Sequence, residues 1–256
     1  MNHKKMLSLI CTLCWLSIFI PGLVIAFRIT QYAIAKSSQQ KAALLVMEYG
    51  MSAPGISTKK GKTYCDMEFI DIKGLQKENP DIKGYLKIPQ TDIAYPVMRS
   101  KEPDWYIDRD FYGNKSVCGS IYMDNASYKG GTNLVLYGHN MKSGQMFGTL
   151  EAYLDESFLQ QHKEIRFITE EGIQVYEVCM VFSASANNQE LLKCLIPYTE
   201  EEMQSLLALI EQRGGRKYAP VSWGDSLITL ATCEYSQKNG RFFVIGKQTD
   251  IIKRND

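Results

Sequence analysis

The stretch Ile228-Thr229-Leu230-Ala231-Thr232-Cys233 runs into Glu234-Tyr235-Ser236-Gln237-Lys238-Asn239-Gly240 and then Arg241-Phe242-Phe243-Val244-Ile245-Gly246. It reads as a strand, a polar turn and a second strand. β-Branched and aromatic residues fill both sides, and Asn239-Gly240 closes the turn. A cysteine ends the first strand and an arginine opens the second. A hairpin of this kind holds a thiol and a guanidinium side by side at one end of a sheet. The remaining sequence is best read by what it supplies to that pair.

Upstream of the hairpin lie many short strands separated by turn residues. Gly84-Tyr85-Leu86-Lys87-Ile88-Pro89, Ile93-Ala94-Tyr95-Pro96-Val97, Gly119-Ser120-Ile121-Tyr122-Met123 and Asn133-Leu134-Val135-Leu136-Tyr137 are four of them. Residues 165–169 and 173–178 make a hairpin about Glu171-Gly172, and a further strand is read near 179–185. This pattern predicts an all-β barrel or sandwich. Helical spacing marks Phe69, Ile72 and Leu75, stopped by Asn79-Pro80, and residues 147–153 also read as helical. One clear helix interrupts the strands. Thr199 and Glu202 fit a capping box, Met203, Leu206, Leu207 and Ile210 share a face, and Gly214-Gly215 ends it.

The N-terminus differs in character. Lys4 and Lys5 precede residues 7–27, which carry no charge. Twenty-one residues at about 1.5 Å each reach about 31 Å, enough to cross a bilayer core. Pro21-Gly22 would kink such a span without forbidding it. A cleavable signal peptide needs a small-x-small site, and Ile25-Ala26-Phe27-Arg28 is a poor match. The reading is therefore a cytoplasmic tail at 1–6 and a signal anchor at 7–27. A helical stalk and Ser/Gly/Pro/Lys-rich linker at 28–64 and a catalytic domain at 65–256 follow, both extracytoplasmic.

Composition removes several function classes. The 256 residues are 45% hydrophobic and 22% charged with net charge +1, which gives no support for nucleic-acid binding. Seven cysteines are scattered, and the Cys11–Cys14 CxxC lies inside the apolar run, where membrane packing explains it better than zinc. No nucleotide-binding glycine motif and no HExxH is present. Asp104, Asp108 and Asp110 lack the glycine and closing glutamate of a calcium loop, so no metal site is expected.

Three histidines occur. His3 lies in the tail, and His162 belongs to an exposed helix end. His139 follows a strand and a glycine in Tyr137-Gly138-His139-Asn140-Met141, a position at a sheet rim that a ligand can reach. A cysteine in a strand is more often a small buried apolar residue, and a lone arginine is more often a surface group. Together the three side chains match acyl transfer from an amide. Cys233 serves as nucleophile, His139 as acid for the leaving amine, and Arg241 as the group that meets the oxyanion. No third residue is required to orient the histidine.

These residues resemble a known family. Thr229-Leu230-Ala231-Thr232-Cys233 with Arg241 is similar to the TLxTC…R signature of sortases, and Tyr137-Gly138-His139-Asn140-Met141 to their histidine motif. The resemblance covers residues 66–248 and is closest to class B, through residues 79–86, Gly119-Ser120-Ile121-Tyr122-Met123-Asp124, Met146-Phe147-Gly148-Thr149-Leu150 and the helix at 199–213. It implies a mainly β fold: an eight-stranded sortase β-barrel with extra N-terminal helices and a helix in the connection between the sixth and seventh strands. It implies a membrane-anchored cysteine transpeptidase on a Gram-positive cell surface, without cofactor. Cys233 would cleave the sorting motif of surface proteins (NPxTx-, LPxTG- or SPxTG-like) and form a thioacyl-enzyme. A peptidoglycan precursor or cross-bridge amine would release it. His139 would be the acid and base, Arg241 would hold substrate and oxyanion, and Thr232 and Ala231 would line the site. Ala231 stands where class B members often carry serine, which puts a hydroxyl contact there in doubt. The other cysteines are expected to be unpaired.

Other readings share these residues. A hydrolytic sortase-like enzyme would use the same triad. A pilus-polymerising sortase would usually resemble class C, with a lid and often a second, C-terminal span. A non-catalytic, membrane-tethered domain binding wall peptides is a reading from another class, against which the intact Cys233, His139 and Arg241 argue.

Overall fold

A computed structural model describes residues 3–52, 57–59, 62–64, 68–127, 132–235 and 239–254. Eight strands form the barrel: β1 (Ile82–Lys87), β2 (Ala94–Met98), β3 (Ile121–Met123), β4 (Asn133–Tyr137), β5 (Glu164–Thr169), β6 (Gly172–Ser185), β7 (Leu227–Glu234) and β8 (Gly240–Lys253). Their spatial order is β6-β8-β7-β4-β3-β2-β1-β5, and β5 pairs back onto β6 to close the ring. Pairings are antiparallel except β2/β3 and β4/β7, which are parallel. The fold is a closed, mixed, mainly β barrel with a few helices, as the resemblance implied.

Side-chain alternation along β7 and β8 builds two layers at once. Ile228, Leu230, Phe242 and Val244 belong to the barrel's central core. Ala231, Phe243 and Ile245 point the other way, into a second cluster under α4 (Gln189–Cys194) and α5 (Glu200–Gln212). Phe182 and Phe243 stack there at 4.7 Å. The sequence marks one helix in this β6/β7 connection, and the structure has two. Thr199 caps α5 by accepting from Glu202 N at 3.2 Å, and Glu202 accepts from Tyr198 N at 2.7 Å. Leu209 is buried where Leu207 was expected, because the helix presents Met203, Leu206, Leu209 and Ile210 inward. Each fully buried side chain of this size contributes about 1.5–3 kcal/mol.

One strand runs longer than its apolar run. β6 runs unbroken to Ser185, joining the strands expected at 173–178 and near 179–185, and Ser183, Ala184 and Ser185 pair with Phe242, Arg241 and Gly240. Pairing to the hairpin overrides the weak strand preference of these small residues. Phe69 lies in a short strand (Glu68–Ile70) paired with Gly50–Ser52, so the helix α2 (Ile72–Glu78) begins only after it, with Asp71 accepting from Gly74 N at 3.0 Å. Residues 57–59 and 62–64 of the expected linker pair as a further short ladder. The 147–153 region forms a 3-10 turn (Leu150–Leu154) followed by α3 (Glu156–Gln161), capped by Asp155.

α1 is one helix, His3–Glu48, with Pro21 inside it. Its segment from Trp15 onward is long and apolar enough to cross a membrane, and Trp15 to Ile29 is exposed. The part read from sequence as a stalk is the second half of the same helix, and it docks on the barrel. Ala35, Ala42 and Val46, at helical spacing, are buried. Ser38 donates to Asp110 at 2.6 Å, Gln145 donates to Gln39 at 3.0 Å, and Tyr32 donates to Ser143. The side chains of Cys11 and Cys14, Cys65, and the turn residues 236–238 lie outside the described residues.

Candidate active site

Register brings the thiol and the guanidinium together. Cys233 and Arg241 are directly opposed in the β7/β8 pair, so they share a face. Arg241 Nη1 donates to Cys233 Sγ at 3.3 Å and to the Gly240 carbonyl at 3.2 Å. Asn239 takes φ 55°, the left-handed backbone this turn needs and asparagine tolerates. Ala231, two residues earlier on the same face, is covered by the helix layer. Cys233 is half-buried and lines an open cleft of about 350 Å³, together with His139, Arg241, Asp104, Ile107 and Tyr122.

His139 leaves the end of β4 through Gly138. A Cβ on Gly138 would lie 2.4 Å from Ile121 Cδ1 and 2.8 Å from Phe147 Cδ2, so a glycine is required where the chain leaves the strand. The imidazole Nε2 lies 2.6 Å from the carbonyl oxygen of Ile107. A carbonyl only accepts, so Nε2 carries a proton and Nδ1 is the nitrogen left for proton exchange. The sequence required no orienting group, yet the structure provides one, a backbone carbonyl with no sequence signature. Ile107 sits in a 3-10 turn, Trp105–Asp108. Gly119 passes over that turn at φ +56°, and a Cβ there would sit 2.3 Å from Ile107 O.

The opposite wall is polar. Tyr122 donates to Asp104 at 3.0 Å and Tyr137 to Asp124 at 3.1 Å, with the two rings 5.5 Å apart. Burial first, and then the carboxylates, push both phenols above their ordinary range, while the Arg241 charge opposes the shift. Both therefore remain protonated donors. The three aspartates compared above with a calcium loop have separate partners. Asp104 takes Tyr122, Asp108 pairs with Lys115, and buried Asp110 accepts from Ser38 and from the backbone of Tyr112 and Asn114.

Comparison with known proteins agrees with this geometry. Residues 86–249 match the Sortase domain family. A sortase B of Listeria monocytogenes is 34% identical over 183 residues, which cover 69% of this chain and 73% of the relative. A Staphylococcus aureus sortase B is 30% identical over 187 residues, covering 71% and 75%. The crystal structure of a Bacillus anthracis sortase B superposes with a TM-score of 0.67 at 28% identity, covering 88% of this chain and all of that one (100%). The chain belongs to the sortase family. Sortases are cysteine transpeptidases that act on surface proteins, and the barrel, the helices and the β6/β7 connection fit class B.

In this sortase the remaining sequence candidates fall into two groups. Ala231 is 1% exposed and lines the cleft. Thr232 also lines the cleft; it is 2% exposed, and its hydroxyl, on the opposite face of β7 from Cys233, donates to the Gly138 carbonyl at 2.8 Å. That bond ties β7 to the His139 loop, which leaves the hydroxyl engaged away from the thiol. Cys118, Cys179 and Cys233 are free, and of these only Cys233 lines the cleft. Burial pushes the Cys179 thiol up to about 12 and raises that of Cys118. His162 packs against Phe158 at 4.3 Å and bonds the Pro89 carbonyl, a structural role. Ile107 and Asn140 are the site residues that sequence reasoning did not assign. Asn140 could have been suspected from its place beside His139.

Proposed function

We propose that this sortase is a membrane-anchored transpeptidase that cleaves a C-terminal sorting motif of surface proteins through a thioacyl intermediate on Cys233. It then passes the acyl group to a cell-wall amine. The observation that carries the reading is the Arg241 guanidinium 3.3 Å from the Cys233 sulfur, inside a cleft that also holds His139.

The chemistry follows from these three groups. The Cys233 thiolate attacks the scissile carbonyl carbon, and negative charge builds on its oxygen. Arg241, already beside the sulfur, meets that charge. The imidazolium of His139, its Nε2 proton directed at Ile107 O, gives its Nδ1 proton to the leaving amine as the C–N bond breaks. A thioester remains. An incoming amine loses a proton to Nδ1 and attacks the thioester, and the thiolate leaves. Water in place of the amine would give hydrolysis. Thr232 holds the histidine loop in place, and Ala231 lines the cleft. Residues 7–27 anchor the chain with Lys4 and Lys5 on the cytoplasmic side. The catalytic domain then acts outside the membrane.

The test uses the full chain in detergent micelles and a panel of NPxTx-, LPxTG- and SPxTG-like peptides, with and without a peptidoglycan-type amine. The expected result is an acyl adduct mapped by mass spectrometry to Cys233, absent from Cys233→Ala and discharged faster by the amine. No adduct with any peptide would sink the reading. Adducts that resolve equally fast without amine would make the enzyme a hydrolase.

A further inference from the structure

The parallel ladder between β4 and β7 ends at the pair Tyr137 and Ala231. The contact between the two segments goes on beyond it. Gly138 N donates to Ala231 O at 3.1 Å, and Thr232 Oγ1 donates back to Gly138 O at 2.8 Å. Asn140 Nδ2 then donates to Cys233 O at 2.7 Å, and Tyr235 OH donates to Asn140 O at 3.1 Å. Side chains thus take over from the backbone ladder, one step at a time. His139 lies between two anchored residues, Gly138 and Asn140, while its own ring is held by Ile107 O.

Only one of these bonds joins the residue next to His139 to the nucleophile's own residue, and that is the Asn140 bond. Its amide nitrogen has two hydrogens. One goes to Cys233 O and the other to Glu151 Oε1, at 2.9 Å. Both acceptors are oxygens, and Glu151 brings the stronger, charged kind of hydrogen bond. A side chain held from both ends keeps one rotamer. An aspartate of the same shape would set an oxygen against two oxygens.

We propose that Asn140, aimed by Glu151, is a positioning residue that sets the spacing between His139 and Cys233. It touches no reacting atom and acts through the Cys233 carbonyl and the adjoining histidine. This inference rests on the reading of Cys233 and His139 as the reacting pair. Misplacement of a catalytic group by about 1 Å costs on the order of 100-fold in rate.

The experiment compares full-chain wild type with Asn140→Ala, Asn140→Asp and Glu151→Gln. It reads kcat and KM on a cleaved sorting peptide, Tm, and the pH profile of iodoacetamide alkylation at Cys233, resolved by peptide mass spectrometry. Asn140→Ala and Asn140→Asp are expected to lower kcat by about 10- to 100-fold with KM held within about twofold. Both should also displace the Cys233 alkylation profile at an unchanged Tm. Glu151→Gln keeps an acceptor without its charge, so a smaller loss of about two- to fivefold follows. Wild-type kcat and an unmoved profile in both Asn140 variants would overturn the proposal. So would losses that track a falling Tm in both, since those mark a purely structural residue. If the wild type itself cleaves no peptide, the transpeptidase reading fails, yet the alkylation profile still decides whether Asn140 governs the environment of Cys233.

Discussion

The two halves of the site are held by different kinds of bonds. Cys233 and Arg241 take their places from backbone register in a long antiparallel pair, flanked by β4 and β6. His139 lies past the end of its strand and is placed by a ring bond to Ile107 O and by side chains of Thr232, Asn140 and Tyr235 on its neighbours. A backbone ladder survives most side-chain changes. A loop tied by single side-chain bonds does not. Substitutions on the hairpin should therefore change chemistry without geometry, and substitutions around the loop should change geometry and, through it, chemistry.

The sharpest way to test the hairpin side is Arg241→Ala. The guanidinium is removed and the ladder is not, so Tm should stay close to wild type. Loss of one oxyanion-stabilising donor typically costs about 100- to 1000-fold in kcat. Arg241→Lys should recover little of it, because a point charge on a flexible stem cannot hold both the sulfur and the Gly240 carbonyl as the planar guanidinium does. Kinetics of acyl-adduct formation with a saturating peptide would measure this. A kcat within tenfold of wild type would mean that register brings Arg241 to the sulfur without giving it a catalytic task.

Gly119→Ala probes the other side from a distance. The new Cβ would sit 2.3 Å from Ile107 O, at a backbone angle that alanine disfavours, so the turn carrying that carbonyl must shift. The strain should cost about 1–3 kcal/mol of stability. The histidine, deprived of its acceptor, should lose about 10- to 100-fold in kcat. Alkylation of Cys233 should still be assisted by Arg241, since the hairpin is untouched. Denaturant unfolding and single-turnover kinetics together decide it. Unchanged kcat alongside reduced stability would show that the Ile107 carbonyl does not orient the ring.

The same division explains what could be read from the sequence. Strand periodicity, the Asn239-Gly240 turn and the Thr199 cap are local signals, so the hairpin and α5 were legible, and with them the pairing of Cys233 and Arg241. The histidine was legible only as a residue at a strand end. Its true support is a main-chain oxygen 32 residues away, and any residue type at 107 would carry one. The docking of α1 was hidden for a related reason. Ala35 and Ala42 are too small to mark a face, and Asp110, the partner of Ser38, looked like one of three loosely spaced acids. Thr232 lines the cleft as the motif suggests, but alternation turns its hydroxyl to the Gly138 carbonyl and away from the thiol, a partner the motif does not reveal.

The smallest expected effect concerns stability alone and separates the two halves by pH. Tyr106 precedes Ile107 in the turn that holds the histidine. It is 3% exposed, donates to Asp81 at 3.0 Å and accepts from Asn79 at 3.1 Å. Burial pushes its phenol up, the Asn79 bond opposes the shift and the Asp81 carboxylate adds to it, which leaves the group at about 12. In the unfolded chain it ionises near 10. The folded state therefore keeps a proton that the unfolded state gives up. The resulting stabilisation is complete below pH 10 and is lost as pH rises from about 10 to about 12. Two pH units correspond to on the order of 3 kcal/mol. Tyr106→Phe lacks the titrating group. It should be less stable than wild type at neutral pH by about 1 kcal/mol, the hydrogen bonds lost, and should decline less steeply in alkali. Denaturant midpoints at pH 8, 10 and 11.5 would show the two curves converging. Parallel curves would place the alkaline loss in the other buried tyrosines, Tyr122 and Tyr137 among them, and so on the strands that carry the cleft wall and not on the turn beneath His139.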